Sequence, residues 1–337
     1  MESKYIKWST LAFMAFSTVW GFGNVLNGFV YFNGIQVIFS WILMFALYFV
    51  PYALMVGELG SAFKESGGGV SSWILKTTGP KLAYYAGWTY WACHITYIAS
   101  KSSGGLKALS WAVFRNAETY DTFPTIGVQL VTFAILLVFC WVASRGLNPL
   151  KKLAAIAGTS MFVMSILYNA IGQLSTLVIS IDAPLRMLLD NEESQQFIPA
   201  ALLKKNDAGA YVNGIKMVAI LSGSIILIQS FVPGAAAVLK QLTKLNSVCM
   251  PMRYLWVFTA YIALRKAGNR YNPEYRFVQN DTLALVAGAW CFFVTVACCL
   301  LGVYDTDPFT MCLNIITPCV LTALGIILPI IKKREMA

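Results

Sequence analysis

The chain is poor in charge. Only 12% of its 337 residues are Asp, Glu, Lys or Arg, where a soluble domain carries ~25%. Apolar residues make up 58%. That balance excludes an ordinary soluble domain and implies an integral membrane protein of several spans. Histidine occurs once, at His94, and no two cysteines have C-x-x-C spacing, so no metal site is expected. The motifs call for no cofactor. The eight cysteines (93, 140, 249, 291, 298, 299, 312 and 319) all sit in apolar segments, as small core residues do. H-E-x-x-H, G-x-S-x-G and G-x-x-x-x-G-K-[ST] are missing, which argues against an intramembrane enzyme and a nucleotide-driven pump. Acidic residues are outnumbered 15 to 25 by Lys and Arg. The resulting charge of +10 is gathered in certain short loops, a pattern of membrane orientation and not of nucleic-acid binding. A cleavable signal is not expected. The first apolar run follows Lys4 and Lys7, is too long for an h-region and lacks a small-residue cleavage site.

What is present is a series of apolar runs of about 18–25 residues, which is helix length; barrel strands would need only about 10. Spans are expected at about Trp8–Phe32, Gln36–Phe63, Leu82–Phe114, Pro124–Ser144, Tyr211–Val232, Ala235–Leu264, Asp281–Val303 and Pro308–Ile331. Loops with Lys64, Lys76 and Lys81, with Arg145, Lys151 and Lys152, and from Arg265 to Arg276 are basic, as is the end at Lys332, Lys333 and Arg334. Val232–Gly234 and Tyr304–Pro308 have no basic residue. This alternation predicts a multi-pass protein of the cell membrane with both termini cytoplasmic. The sequon Asn280-Asp281-Thr282 then lies in a cytoplasmic loop and reads as chance.

Two stretches stand out. In Met14–Gly28, the residues Ser17, Thr18, Gly21, Gly23 and Asn24 fall at mid-depth of the first span. The glycines let the backbone leave helical geometry. Broken backbone at that depth must be buried in protein or line a wet cavity, and half-helix ends at such a cavity suit a charged small solute. Close packing on small residues is the competing reading. The second stretch, Leu153–Leu189, is apolar for about 37 residues, ~55 Å as one helix against a ~30 Å core. Its flanks, Lys151-Lys152 and Arg186, Lys204 and Lys205, carry the same charge, which requires an even number of crossings. Two crossings need about 40 residues and a turn. The stretch is therefore a cramped or re-entrant hairpin, bending near Asn169 and Gly172, or a chain that lacks residues here.

Four segments carry a family resemblance: V-W-G-F-G-N at Val19–Asn24, G-E-L-G-S-A-F-K-E-S-G-G-G-V-S-S-W at Gly57–Trp73, I-S-I-D-A-P-L-R at Ile179–Arg186, and L-T-K-L-N-S-V-C-M-P-M-R-Y-L-W at Leu242–Trp256. With them the chain resembles amino-acid permeases of the amino acid–polyamine–organocation superfamily, especially the glutamate/GABA antiporter-like bacterial members. The resemblance implies an all-α polytopic fold with an inverted repeat, LeuT-like, whose first and sixth helices are broken around the substrate. Here that fold is incomplete, with about nine to ten hydrophobic segments in one membrane transporter domain. Residues 1–163 resemble the first repeat, helices one to five. Residues 168–264 resemble helices eight to ten, and 281–331 helices eleven and twelve. Helices six and seven have no counterpart, and the seam lies near Met164–Tyr168.

The resemblance also implies that the backbone at Gly21, Phe22 and Gly23, with Thr18 and Asn24 beside it, binds an amino acid's carboxylate and ammonium. On the third helix, His94, Tyr97 and Lys101 share one face. His94 reads as a proton-sensing group, which would couple transport to protons, or as a neutral packing residue. Lys101 lines a vestibule or snorkels outward. Ser175, Thr176 and Ser180 form a hydroxyl face; the resemblance implies a sodium site as in sodium-coupled relatives, or a substrate contact at Thr176, and bonding across helices is the competing reading. Glu58 is part of a gate or scaffold, or an interfacial carboxylate paired with Lys64 or a backbone donor. Asp182 is expected at a helix end in a local ion pair. Lys240, Lys244 and Arg253 give the tenth helix a cationic face, suited to an acidic substrate, or basic residues that reach the interface. The expected partners are an amino-acid substrate, the lipid bilayer and, for a homo-oligomer, a second copy; no nucleic acid is expected. Two functions share these motifs: a secondary transporter working by alternating access on glutamate- or GABA-type substrates, and a shortened, non-transporting remnant without a complete site.

Overall fold

The computed structural model describes residues 34–66, 69–116, 118–146, 170–231, 235–271 and 273–336. The expected first span, with Thr18, Gly21, Phe22, Gly23 and Asn24, and the seam at Met164–Tyr168 lie outside the described residues. Among the described residues the secondary structure is helical, without strands. In chain order the longer helices are α1 (Ile35–Ala62), α2 (Val70–Thr78), α3 (Pro80–Phe114), α4 (Thr125–Ser144), α5 (Ala170–Leu189), α6 (Val212–Ile228), α7 (Ala235–Cys249), α8 (Met252–Lys266), α9 (Asp281–Val303) and α10 (Pro308–Met336).

Among the described residues, five segments are long and apolar enough to cross a membrane: Ile35–Ala62, Thr125–Ser144, Ala237–Lys266, Asp281–Val303 and Pro308–Glu335. Their outward faces are hydrocarbon. Leu300 and Leu301 on α9 are 69% and 77% exposed, and Ile35 on α1 is 66% exposed. Water would not tolerate such continuous faces, whereas lipid does. This is an all-α polytopic membrane protein.

The span expected over Ala235–Leu264 is broken. Met250-Pro251 separates α7 from α8, because Pro251 has no N–H to continue the ladder. The loop after α1 contains a helix of its own, α2, with no counterpart among the expected spans. Asp182 is not at a helix end. It lies inside α5, 2% exposed, and the helix continues through Pro184 to Leu189.

The chain divides into two compact units. The first takes its described residues from His94–Leu185 and Ala201–Thr243. Here α4 packs against α6, and Gly223 makes the approach possible: a Cβ there would overlap the Phe133 ring. The Ser222 hydroxyl donates to the Ile95 carbonyl (3.1 Å). The connector before α6 is tied to the end of α4, where the Asn206 amide donates to the Ser144 carbonyl (2.8 Å). That carbonyl is among those a helix end leaves without an intrahelical donor.

The second unit takes its described residues from Gly28–Cys93, Arg186–Ala200 and Lys244–Ala337. Its core includes Met55, Leu59, Ile74, Phe258 and Tyr261. Two of its contacts follow from proline. Pro51 cannot donate to the Leu47 carbonyl four residues back. The helix widens to a π-turn at Phe45–Phe49, and the freed Leu47 carbonyl accepts from Trp290 Nε1 on α9 (3.2 Å). Pro329 likewise frees the Gly325 carbonyl, which accepts from Tyr84 Oη on α3 (2.8 Å). One turn earlier, Trp88 Nε1 donates to the Leu321 carbonyl (2.8 Å). Its indole lies so close to Gly325 that any Cβ there would overlap it.

Candidate functional site

In the first unit, α3 carries the predicted column. Its 35 residues reach ~52 Å at 1.5 Å per residue, more than a ~30 Å bilayer core. Positions 94, 97 and 101 follow an i, i+3, i+7 pattern and fall on one face. The structure brings their side chains together. The His94 and Tyr97 ring centroids are 6.0 Å apart at 73°. The Lys101 ammonium lies 5.1 Å from the Tyr97 centroid. His94 is 6% exposed. An ammonium over a phenol ring is held by ~0.5–2 kcal/mol, more as water is excluded. Thr176 is buried in the same unit, on α5.

Sequence reasoning missed the buried amides of this unit. Gln129 on α4 and Gln229 after α6 are both 0% exposed, and neither side chain has a hydrogen-bond partner. Thr132, also 0% exposed, has a hydroxyl without one. Each such group costs ~1–3 kcal/mol. A polar residue inside an apolar run was the available signal.

In the second unit the second-helix signature is explained by what Glu58 and Ser61 hold. Of the two partners expected for Glu58, Lys64 is not one, and a backbone donor, the Phe277 N–H, is. Lys64 pairs with Glu274 at the surface, and hydrogen bonding to Lys64 holds the Glu274 carboxyl below its usual range. Glu58 is 0% exposed. Its Oε2 accepts from Arg265 Nη2 (2.7 Å), the Phe277 backbone N–H (2.9 Å) and Tyr261 Oη (3.4 Å). Arg265 also donates from Nη1 to Asp281 (2.8 Å) and from Nη2 to the Val278 carbonyl (2.7 Å). Its position follows from sequence: a cation in the last turn of α8 and an acid in the first turn of α9 each complement a helix dipole. Asn280 caps α9 by accepting from the Thr282 and Leu283 N–H groups, so the sequon residues serve as a helix start. Ser61 exchanges bonds with Tyr275, accepting from its N–H and donating to its carbonyl (both 3.2 Å). The G-E-L-G-S segment thus fastens the loop between α8 and α9.

Further along this unit, Lys244 donates to the Tyr304 carbonyl (2.9 Å) and forms an ion pair with Asp305. Hydrogen bonds from Lys244 and the Asp307 N–H hold the Asp305 carboxyl below its usual range. Asp307 is held below its range by the Thr310 hydroxyl (2.6 Å) and N–H (2.9 Å) at the start of α10. Arg253, in the first turn after the Met250-Pro251 break, lies between two phenols. Its guanidinium carbon is 5.1 Å from the Tyr90 centroid and 4.8 Å from that of Tyr254. It donates from Nη2 to Tyr254 Oη (2.9 Å). Tyr52 packs edge-on to Tyr254 (5.2 Å) and stacks with Tyr48 (6.4 Å). The cation was visible in the sequence; its tyrosine surround, drawn from three helices, was not.

A sequence profile of the amino acid permease family matches residues 6–179. The chain is 34% identical to the aspartate/glutamate permease AcaP of Lactococcus lactis subsp. cremoris, over 475 aligned positions that take in 99% of this chain and 97% of the relative. The chain has 337 residues, so at least 138 of those positions (475 less 337) have no residue here. It is also 27% identical to the inner membrane transporter YjeM of Escherichia coli K12 over 161 residues, 46% of this chain and 32% of that protein. Similarity at 28% over the same length extends to YjeM of Salmonella typhimurium. Matched by the family profile over more than half its length and by one permease from end to end, the chain belongs to the amino-acid permeases of the amino acid–polyamine–organocation superfamily.

Proposed function

We propose that the chain is a secondary transporter of acidic amino acids that works by alternating access. The observation that carries this reading is the end-to-end similarity to a relative named for aspartate and glutamate. The backbone around Gly21, Phe22 and Gly23, with Thr18 and Asn24, receives the substrate's carboxylate and ammonium. The Lys101–Tyr97–His94 column supplies a cation and a titratable group to the pathway, with Thr176 as a further hydroxyl. Lys101 draws the anionic substrate in, and His94 couples its movement to a proton. Glu58 and Lys244, both engaged in ion pairs, act as scaffold around the moving parts. Both termini are cytoplasmic by the charge of the loops.

A second reading has its own support. At least 138 positions of the permease relative have no residue here, room for two or more crossings at ~20 residues each with their loops. Placed at Met164–Tyr168, that gap removes helices six and seven, with residues 1–163 matching the first repeat and 168–331 helices eight to twelve. The chain would then be a non-transporting remnant. Counterflow in proteoliposomes separates the two. Saturable exchange of labelled aspartate or glutamate that Gly23→Leu abolishes supports the transporter. Its absence from a monodisperse, inserted preparation supports the remnant.

A further inference from the structure

The first unit contains a cavity of about 370 Å³ between the end of α3 and the start of α4. Leu106, Leu109, Val113, Val128 and Val131 line it. Its wall is carbon: Ser110 and Tyr120 also line it, yet their hydroxyl oxygens are buried. Burial, with Asp121 adding to it, pushes the Tyr120 phenol up to about 12, so that wall stays uncharged. The mouth is apolar too, with Leu109, Val113 and Phe123 at 45%, 66% and 40% exposed. At ~30 Å³ for a water-sized group, the cavity holds roughly a dozen methylenes.

Its depth in the bilayer follows from the chain. The cavity adjoins the polar loop between Phe114 and Pro124, which includes the charged residues Arg115, Glu118 and Asp121. Trp111, 57% exposed, stands one turn before that loop, in the place aromatic residues take at a membrane interface. Beyond the apolar mouth, the end of α3 and the adjoining loop carry both signs of charge. The Lys107 ammonium lies 5.6 Å from the Tyr120 ring centroid, Arg115 follows Phe114 directly, and Asp121 follows Tyr120 directly. Hydrocarbon in a bilayer is already out of water, so the cavity selects by shape and the adjoining segments by charge.

We propose that this cavity holds one acyl chain of a zwitterionic phospholipid whose phosphate meets Lys107 and Arg115 and whose primary ammonium meets Glu118 and Asp121. The mixed charge favours an ethanolamine headgroup over a purely anionic one, and over a choline, whose methylated nitrogen donates no hydrogen bond to a carboxylate. The full chain, purified in mild detergent from membranes of mixed lipid composition, would be examined by native mass spectrometry. The wild type should retain one phosphatidylethanolamine, in preference to phosphatidylglycerol and phosphatidylcholine. Gly127 lines the cavity, and a Cβ placed on it meets nothing within 4 Å. Gly127→Phe should therefore fill the space without disturbing the backbone and lower lipid occupancy at least tenfold. Gly127→Ala should keep it. Equal occupancy in Gly127→Phe, a retained lipid of another headgroup, or a protein partner with no lipid would each overturn the proposal.

Discussion

Removing Glu58 should be far more damaging than its place in a short loop-side motif suggests, and the structure gives the size of the effect. The Glu58 and Arg265 side chains are 1% and 3% exposed and 2.7 Å apart. Glu58→Leu leaves Arg265 with Asp281, which is 53% exposed and well screened, and with the Val278 carbonyl. It also strands the Phe277 N–H. Breaking one side of a buried pair costs ~3–5 kcal/mol. At ~2–4 °C per kcal/mol for chains somewhat shorter than this one, the thermal midpoint in detergent should fall by about 10 °C. Arg265→Met should cost a similar amount, because it leaves a buried carboxylate without its cation. The double variant is the decisive one. Replacing both charges with apolar groups removes the unpaired ion, and such replacements are often close to neutral. It should therefore lie well above the sum of the singles, with a coupling of ~3 kcal/mol or more. Two single variants that each lose under ~0.5 kcal/mol, or a double variant whose loss equals their sum, would refute the account of this network.

Other expectations follow from single contacts. Gln129→Leu should leave stability unchanged or raise it by ~1 kcal/mol, since a fully buried amide without a partner is replaced by carbon; a clear loss in unfolding experiments would mean that the amide is used. Gly325→Leu should destabilise by ~3 kcal/mol or more, because the side chain takes the space of the Trp88 indole; an unchanged thermal midpoint would contradict the packing of α3 on α10. Asp307 has a depressed carboxyl, so its cap is fully present above the unfolded value of ~3.9 and is lost as pH falls through the lower folded value. The midpoint difference between wild type and Asp307→Asn should thus hold from pH 7 to pH 5 and shrink below pH 4. Glu274→Gln should leave the midpoint unchanged, because that ion pair is solvated on both sides.

Helix positions were legible where chemistry marks both ends. Asp281–Val303 falls where the sequence puts it, since Asn280 and Asp281 start the helix and Tyr304–Pro308 end the apolar run. The break at Met250-Pro251 was hidden because apolar content continues across it; the proline mattered more than the hydropathy. Within α3 the grouping of His94, Tyr97 and Lys101 could be read from helical spacing alone. The partner of Glu58 could not. Lys64 is near in sequence but lies beyond the helix end at Phe63, whereas Arg265 is 207 residues away. A contact of that kind is fixed by tertiary packing and leaves no local pattern.

The carbonyls released by Pro51 and Pro329 act as axial keys. Each is a single acceptor at one height on its helix, matched by one aromatic donor on a neighbour, Trp290 or Tyr84. Sliding α9 along α1, or α3 along α10, by one turn of ~5.4 Å would carry the donor past its acceptor and strand both in lipid-like surroundings. These helix pairs therefore resist shear while still permitting tilt about the keyed point. Any motion of this unit should be a rocking of locked pairs, with the prolines as its fulcra.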